Sequence, residues 1–222
     1  MRFTVELTHA TALFTGVADG DLGRTQGDTS PQVECNRASL LASLGLGAIS
    51  VPAQVHGSTV ATARAAGGYS VGAWEADALL CSEPDAAVAV HVADCLPIVV
   101  AGPGALAVIH AGWRGLAGGV IEAAVARLRE LTDPTDAAIG PGAGACCYEA
   151  GPEVHAAFAR YNASRGALLD LRAVATAKLE AIGVACTGNV DVCTICAPVG
   201  QLFSHRREGP QTGRQAGLGW LR

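Results

Sequence analysis

Two histidines and one cysteine, His56, Cys95 and His110, each follow or end a strand-like segment and stand beside Gly, Asp or Pro. Strand ends of one sheet converge, so side chains far apart in sequence can meet there. Two imidazoles and one thiolate suit zinc or copper, and three protein ligands leave a fourth position open. The pattern is compatible with a metal site, and also with core histidines that hydrogen bond inside the sheet.

The same residues permit a chemistry without metal. Cys95 could act as a nucleophile with His110 as its base. The loop after His110, residues 112–115, opens a predicted helix, and helix N-termini bind anions and stabilise oxyanions. Arg114 in that loop would add a bidentate fork for a phosphate or carboxylate. An ordinary surface ion pair is the alternative for Arg114.

Composition limits the classes of protein to which the chain can belong. Its 222 residues predict one domain, residues 1–222, and a half-hydrophobic, 16% charged composition excludes disorder. The net charge of -5 disfavours binding to nucleic acid. Without 18 consecutive apolar residues or the apolar block of an export signal, we expect no membrane association and a cytoplasmic location.

Eight cysteines raise the question of disulfides or structural zinc. The chain is long enough to fold without disulfides, so most cysteines are expected to be small, buried and reduced. Cys193 and Cys196 have ligand spacing, but a structural zinc site usually needs a second such pair. Cys146, Cys147 and Cys186 do not repeat the spacing. The sequence therefore disfavours a zinc ribbon, and Cys196 reads as incidental.

Strand and helix patterns interleave along the chain, which predicts an α/β or α+β fold with mixed sheets. Besides an N-terminal strand, strands are predicted at residues 48–54, 77–80, 87–93, 96–100, 105–110, 136–140 and 189–193. Helices are predicted at residues 31–44, 116–131, 152–161 and 170–182, and a long loop at residues 16–28.

Five motifs stand in order, and together they resemble the YfiH-type family. That family was first described as laccase-domain or multicopper polyphenol oxidase-like and later as purine nucleoside phosphorylase. The motifs are Gln54-Val55-His56-Gly57, Ala93-Asp94-Cys95-Leu96-Pro97, His110-Ala111-Gly112-Trp113-Arg114-Gly115, Gly140-Pro141 with Cys147-Tyr148-Glu149, and Ser204-His205-Arg206-Arg207 with Thr212-Gly213-Arg214. The resemblance runs from about residue 12 to the end. It departs from the family at a shortened loop, Asp21-Leu22-Gly23.

The resemblance implies a compact α/β sandwich, with two mixed sheets between outer helices. It also implies that His56, Cys95 and His110 are both the metal ligands and the catalytic residues, with zinc as the metal and copper as the alternative. Asp94, Arg114, Arg206 and Arg37 are the candidate substrate-binding residues.

For the activity, the resemblance implies phosphorolysis of adenosine, inosine and methylthioadenosine, and deamination of adenosine. The partners would be purine nucleosides and inorganic phosphate. The alternatives are a copper-dependent polyphenol oxidase, a Cys/His amide hydrolase that edits cell-wall precursors, and a zinc-stabilised binding module. A complete laccase also needs a three-copper cluster, and the four remaining histidines are too scattered to build one: His9, His91, His155 and His205.

Overall fold

Two six-stranded mixed sheets make up most of the structure, a computed structural model that describes residues 1–23, 30–64 and 67–222. The first sheet has the order β1 (Phe3–Glu6), β2 (Ala10–Phe14), β14 (Gln215–Leu221), β7 (Ala86–Val92), β3 (Ala48–Ala53) and β5 (Gly68–Glu75). The second has the order β13 (Ala185–Asn189), β10 (Asp136–Ile139), β8 (Leu96–Gly102), β9 (Ala105–Ala111), β6 (Ala78–Cys81) and β4 (Val60–Thr62).

Helices and two short strands complete the described part of the chain. The helices are α1 (Pro31–Leu44), α2 (Trp113–Ala117), α3 (Val120–Leu128), α4 (Pro152–Ala157), α5 (Leu171–Ala181) and α6 (His205–Glu208). Single 3-10 turns form at Val17–Asp19 and Ala159–Tyr161, and β11 (Ser164–Arg165) pairs with β12 (Leu168–Leu169). No helix in the described ranges is both long and apolar enough to cross a membrane.

The alternation of side chains along β7 shows how the layers pack. Val88 and Val90 belong to a buried cluster between the two sheets, whereas Ala87 and Ala89 belong to one that includes Leu40 of α1. The outer face of the second sheet packs against α3 and α5 in a third cluster. Two sheets between outer helices confirm the predicted fold class.

Three of the predicted elements differ from the structure by more than two residues at one or both ends. The helix predicted at residues 116–131 is two helices. Gly119 has a φ of 84°, a left-handed conformation that interrupts the helix between α2 and α3. The helix predicted at residues 152–161 ends as α4 at Ala157. The strand predicted at residues 189–193 is wrong: β13 spans Ala185–Asn189, because pairing with β10 overrides its weak strand propensity.

Strands β3, β5 and β7 are parallel neighbours in the first sheet, so their carboxyl ends lie at one edge. After each of these strands the chain passes into the second sheet, through residues 54–59, 76–77 and 93–95. Ligand sites in sheets with parallel strands form preferentially at the carboxyl ends. The topology thus gathers three short crossing segments at one end of the sandwich. Part of the loop predicted at residues 16–28, namely 24–28, lies outside the described residues.

Candidate active site

The crossing segments bring the three predicted metal ligands together. One ligand atom each from His56, Cys95 and His110 lies within 4.8 Å of the others, and the two imidazole centroids are 4.7 Å apart. His110 is buried in β9, Cys95 is half-buried and His56 is exposed. The group is therefore closed from below and open to solvent on the side of His56. That these three residues bind a metal stays a prediction.

A buried carboxylate, Asp77, organises this group from behind. It is fully buried at the start of β6, and its Oδ1 lies 2.8 Å from Nδ1 of His110. The same carboxylate accepts hydrogen bonds from the backbone N–H groups of His56 at 2.9 Å and Gly57 at 2.6 Å. Because Nδ1 of His110 is engaged by Asp77, Nε2 is the nitrogen that faces Cys95. A carboxylate behind a histidine ligand fixes the tautomer and raises its basicity.

Two site residues have left-handed backbone conformations. His56 has φ of 61° and Asp94 has φ of 95°, values that cost a non-glycine residue about 1–3 kcal/mol. The Asp77 carboxylate holds the His56 turn in place. At Asp94, the backbone carbonyl accepts a hydrogen bond from Ala143 N–H at 2.7 Å. Hydrogen bonds therefore hold the strained backbone on both sides of the site.

Asp94 uses its carboxylate to bind neighbouring protein segments. Its Oδ1 accepts a hydrogen bond from the Thr194 hydroxyl at 2.6 Å, and its Oδ2 accepts one from Arg206 N–H at 2.7 Å. The residue is buried and borders the site. These contacts make Asp94 a positioning residue for the Cys95 turn and for α6. Because Asp94 also borders the cavity, the expectation that it binds substrate stays a prediction.

Cys95 and His110 form a thiolate–imidazolium pair. Burial alone would raise the pKa of Cys95, but the charge and hydrogen bond of His110, with those of His56, lower it to about 6. Burial would lower the pKa of His110, but the Cys95 thiolate and the Asp77 carboxylate raise it to about 9. Burial also acts to raise the pKa of Asp77, and the hydrogen bond and charge of His110 hold it below its ordinary value. The site is thus built to keep sulfur ionised.

A cavity of about 580 Å³ opens over the three residues, within the usual range for small-molecule sites. Three guanidinium groups line it, those of Arg114, Arg206 and Arg214. Trp113 and Tyr148 provide aromatic faces: the Arg114 guanidinium carbon is 4.4 Å from the Trp113 ring centroid, and that of Arg206 is 5.0 Å from the Tyr148 centroid. Paired cations and aromatic rings suit a ligand with an anionic group and a flat ring.

The structure does not bring Arg37 to this cavity. Among the described residues that line it, Arg37 is absent; it is buried in α1, where Nε donates to the Leu22 carbonyl at 2.9 Å. Its guanidinium carbon lies 5.8 Å from the Tyr69 ring centroid, and Tyr69 in turn contacts His91 at 2.8 Å. The prediction that Arg37 contacts substrate is therefore not supported, because packing against the first sheet places it behind His91.

The helix whose N-terminus is predicted to bind an anion is shorter in the structure than the sequence predicts. The helix that Gly112 caps is α2, only five residues long, so it contributes little dipole. Gly112 is nevertheless required sterically: a methyl group there would lie 2.9 Å from the Cys95 sulfur and 3.2 Å from His56 Cδ2. Only glycine therefore leaves room beside the sulfur and the imidazole. That space and the soft N, S, N donor set fit a zinc or copper ion.

Cysteines form a second cluster that sequence spacing did not predict. The sulfur atoms of Cys146, Cys147, Cys193 and Cys196 all lie within 4.8 Å of one another. Moreover, Cys81 alone of the eight cysteines is buried, so the expectation that most are buried is wrong. The sequence did not predict this cluster because the second pair of sulfurs comes from two adjacent residues. Cys146 and Cys147 lie in the loop after β10 and do not form a second Cys-x-x-Cys pair.

Comparison with known proteins decides the family. Residues 10–222 match the family model described as multi-copper polyphenol oxidoreductase laccase. The chain is 36% identical to the purine nucleoside phosphorylase of Xylella fastidiosa, over 91% of this chain and 84% of that protein. It is 34% identical to the purine nucleoside phosphorylase YfiH of Escherichia coli, over 90% and 86%. The chain belongs to the YfiH family.

Solved structures agree with this membership. A Neisseria meningitidis protein superposes with a TM-score of 0.84 at 31% identity, over 99% of this chain and 98% of that one. YlmD of Geobacillus stearothermophilus gives a TM-score of 0.79 at 27% identity, over 96% and 91%. The resemblance that the five motifs suggested is thus confirmed for both family and fold.

Sequence reasoning missed two residues of the site, Asp77 and Tyr148, as participants. Asp77 gave a weak signal, a single carboxylate at the head of the apolar run at residues 78–81. Tyr148 was noted as part of a motif, but nothing in its spacing placed it in the cavity. Both depend on contacts between segments distant in sequence.

The Cys95–His110 pair predicts a pH profile for the metal-free protein. Alkylation of Cys95 by iodoacetamide should rise as pH increases through about 6 and level off above it, because the thiolate is the reactive form. The rate is measured by mass spectrometry on the Cys95 peptide after chelation. A midpoint near 8.5, as for an ordinary thiol, would contradict the pair.

Proposed function

We propose that this protein is a zinc-dependent purine nucleoside enzyme that cleaves adenosine, inosine and methylthioadenosine with inorganic phosphate and also deaminates adenosine. We place this activity in the cytoplasm. The observation that carries the proposal is the meeting of His56, Cys95 and His110 beneath a cavity lined by three arginines. The relatives from Xylella fastidiosa and Escherichia coli are named purine nucleoside phosphorylases, which supports the phosphorolysis part of the proposal.

His56, Cys95 and His110 would hold the metal. When bound, zinc supplies a Lewis acid with one open coordination position. Asp77 keeps Nδ1 of His110 occupied, so Nε2 would be the donor atom once metal binding displaces its proton. The lowered pKa of Cys95 provides a thiolate at neutral pH, which is the form that binds metal.

Phosphorolysis needs an anion beside the ribose. A phosphate oxygen forms a bond to C1′ while the bond from C1′ to the purine nitrogen breaks, and the electron pair leaves with the base, which then takes a proton. Arg114 and Arg206 are the candidate phosphate ligands, since both line the cavity and each stacks on an aromatic ring. Arg206 also donates to the Glu149 carbonyl at 3.1 Å, which orients its guanidinium.

The purine ring has aromatic partners in the same cavity. Trp113 and Tyr148 line it together with Leu171, and flat apolar surfaces of this kind stack on purine bases. Stacking on the face of a purine does not depend on the substituent at the 6-position, so it accommodates both adenosine and inosine.

A metal-free hydrolase is a second candidate, favoured by the lowered pKa of Cys95 beside His110. In that case the sulfur attacks a carbonyl carbon, the carbon–nitrogen bond breaks as His110 gives a proton to the leaving nitrogen, and water then hydrolyses the thioester and frees the sulfur. Chelation separates the two candidates, because it would abolish a zinc-dependent activity and leave a thiol hydrolase active.

The side chains present support a laccase activity less well. A laccase needs a three-copper cluster in addition to its blue copper site. Of the remaining histidines, His91 and His205 line the cavity, and His91 already contacts Tyr69 and the Gly23 carbonyl through its two ring nitrogens. Too few imidazoles remain for further copper ions.

The proposed activity predicts phosphate-dependent turnover. Zinc-loaded protein incubated with inosine should release hypoxanthine and ribose 1-phosphate only when phosphate is present, measured by chromatography. Cys95→Ala should lose this activity at least 100-fold, whereas Cys35→Ala, at an exposed position on α1, should match the wild type. Equal rates without phosphate, with free ribose as product, would overturn the phosphorylase.

Arg114 allows the phosphate contact to be tested separately. Arg114→Lys should raise the phosphate KM because it keeps the charge but loses the fork, and Arg114→Ala should raise it by about 10- to 100-fold, the value of a charge-assisted hydrogen bond. Arg127→Ala, at an exposed ion pair on α3, is the matched control. Adenosine deamination uses water and should change less. An unaltered phosphate KM in both Arg114 variants would exclude this contact.

A further inference from the structure

We propose that Cys146, Cys147, Cys193 and Cys196 form a second metal site, a structural tetrathiolate zinc site beside the wall of the cavity. Their four sulfur atoms lie within 4.8 Å of one another, and those of Cys146 and Cys196 are 3.6 Å apart. In a tetrahedral zinc site with bonds of about 2.3 Å, neighbouring sulfurs are about 3.8 Å apart. The one printed pair at 3.6 Å is close to that value, and separations of at most 4.8 Å would need only small side-chain shifts to surround one ion.

The turn that begins at Cys193 has the form of a metal-binding knuckle. The chain reverses over residues 194–196, and Ala197 N–H donates to the Cys193 carbonyl at 3.0 Å. The backbone N–H of Gly144 donates to the Cys193 sulfur at 3.2 Å. Such an N–H donor stabilises a thiolate, which is the ligand form of cysteine. The Cys-x-x-Cys turn is thus already in a ligating conformation.

The second pair of ligands comes from the loop after β10. Gly144 N–H donates to the Cys193 sulfur at 3.2 Å, which joins this loop to the knuckle. A methyl group at Gly144 would lie 2.9 Å from Cys193 Cβ and 3.4 Å from the Cys146 sulfur. Glycine therefore permits the close approach that brings Cys146 and Cys147 to the turn.

A disulfide explains the cluster less well. The sulfurs of Cys146 and Cys196, at 3.6 Å, are well beyond the disulfide bond length of about 2.05 Å. All four cysteines are free thiols in the structure, and a disulfide would use two and leave two aside. Four thiolates around one point match a tetrahedral ion, and zinc is the redox-inert ion that takes four cysteine ligands.

A zinc ion bound by the four cysteines would fix the positions of two segments that reach the cavity. Thr194, inside the knuckle, donates to Asp94, and Tyr148 follows Cys147 directly and lines the cavity. Arg207 of α6 also donates to the carbonyls of Thr194 at 2.8 Å and Ala197 at 3.0 Å. The ion would thus link the knuckle and the loop after β10 beneath the segments that carry Asp94, Tyr148 and Arg206.

Metal content tests this proposal independently of the activity. The protein is expressed in medium that contains zinc, and its zinc content is measured by plasma mass spectrometry. The double variant Cys146→Ser/Cys196→Ser and the Cys95→Ala variant are measured in the same way. The double variant should lose one zinc per chain relative to the wild type, and Cys95→Ala should retain that zinc. Cys35→Ser/Cys186→Ser, which removes two cysteines outside both clusters, should match the wild type. Loss of zinc in Cys95→Ala but not in the double variant would overturn the second site.

A spectroscopic measurement covers the case in which the double variant does not fold. Cys95→Ala protein loaded with cobalt(II) should show the intense absorption of a tetrahedral tetrathiolate site. Weak bands without sulfur-to-cobalt charge transfer would overturn the proposal. So would one equivalent of iron held by these cysteines, or two disulfides found by thiol titration of freshly purified protein.

Discussion

The hydrogen bonds of the Asp77 carboxylate are the interactions on which the rest of the site depends. The carboxylate is fully buried at a point where the chain crosses between the sheets, and it pairs with His110 while it binds the turn of His56. A buried carboxylate is stable only when its hydrogen bonds are satisfied. Two of those bonds here come from the residues whose imidazoles meet, and another comes from Gly57 in the same turn, so the contacts that satisfy Asp77 also assemble the site.

The sheet topology explains how one carboxylate can contact both histidine segments. Strands β3, β5 and β7 run parallel, and each delivers a crossing segment to the same edge, carrying His56, Asp77 and Cys95 in turn. His110 comes from β9, whose pairing with β6 places it beside Asp77. The left-handed backbone at His56 and Asp94 is tolerated because buried hydrogen bonds hold both turns.

Periodic patterns allowed much of the fold to be predicted, and their limits have physical causes. The alternation in β7 and the bounds of α1 follow local rules of burial and capping. Strands β5 and β14 lack clear alternation and exist because neighbouring strands pair with them. The split between α2 and α3 depends on the conformation of Gly119, which sequence periodicity does not show.

For the site, chemistry limits which side chains bind metal, so His56, Cys95 and His110 stood out as candidates, and the resemblance to the YfiH family then made them the predicted ligands. The partners of those side chains could not be picked out, since Asp77 and the four-cysteine cluster arise from contacts between distant segments. Long-range contacts also place Arg37 in α1, where it donates to the Leu22 carbonyl and does not line the cavity. The Asp94 carboxylate joins the Cys95 turn to Thr194 and α6, a contact that the sequence did not indicate.

The zinc affinity of Asp77→Asn tests the organising function of Asp77 most directly. The amide cannot accept hydrogen bonds from both backbone N–H groups and His110, so zinc bound at His56, Cys95 and His110 should dissociate with a Kd about 10- to 100-fold higher. Competition with a chromophoric chelator measures it, in a background of Cys146→Ser/Cys196→Ser, with Asp85→Asn in an exposed turn as the control. An unchanged Kd in folded Asp77→Asn protein would contradict the account.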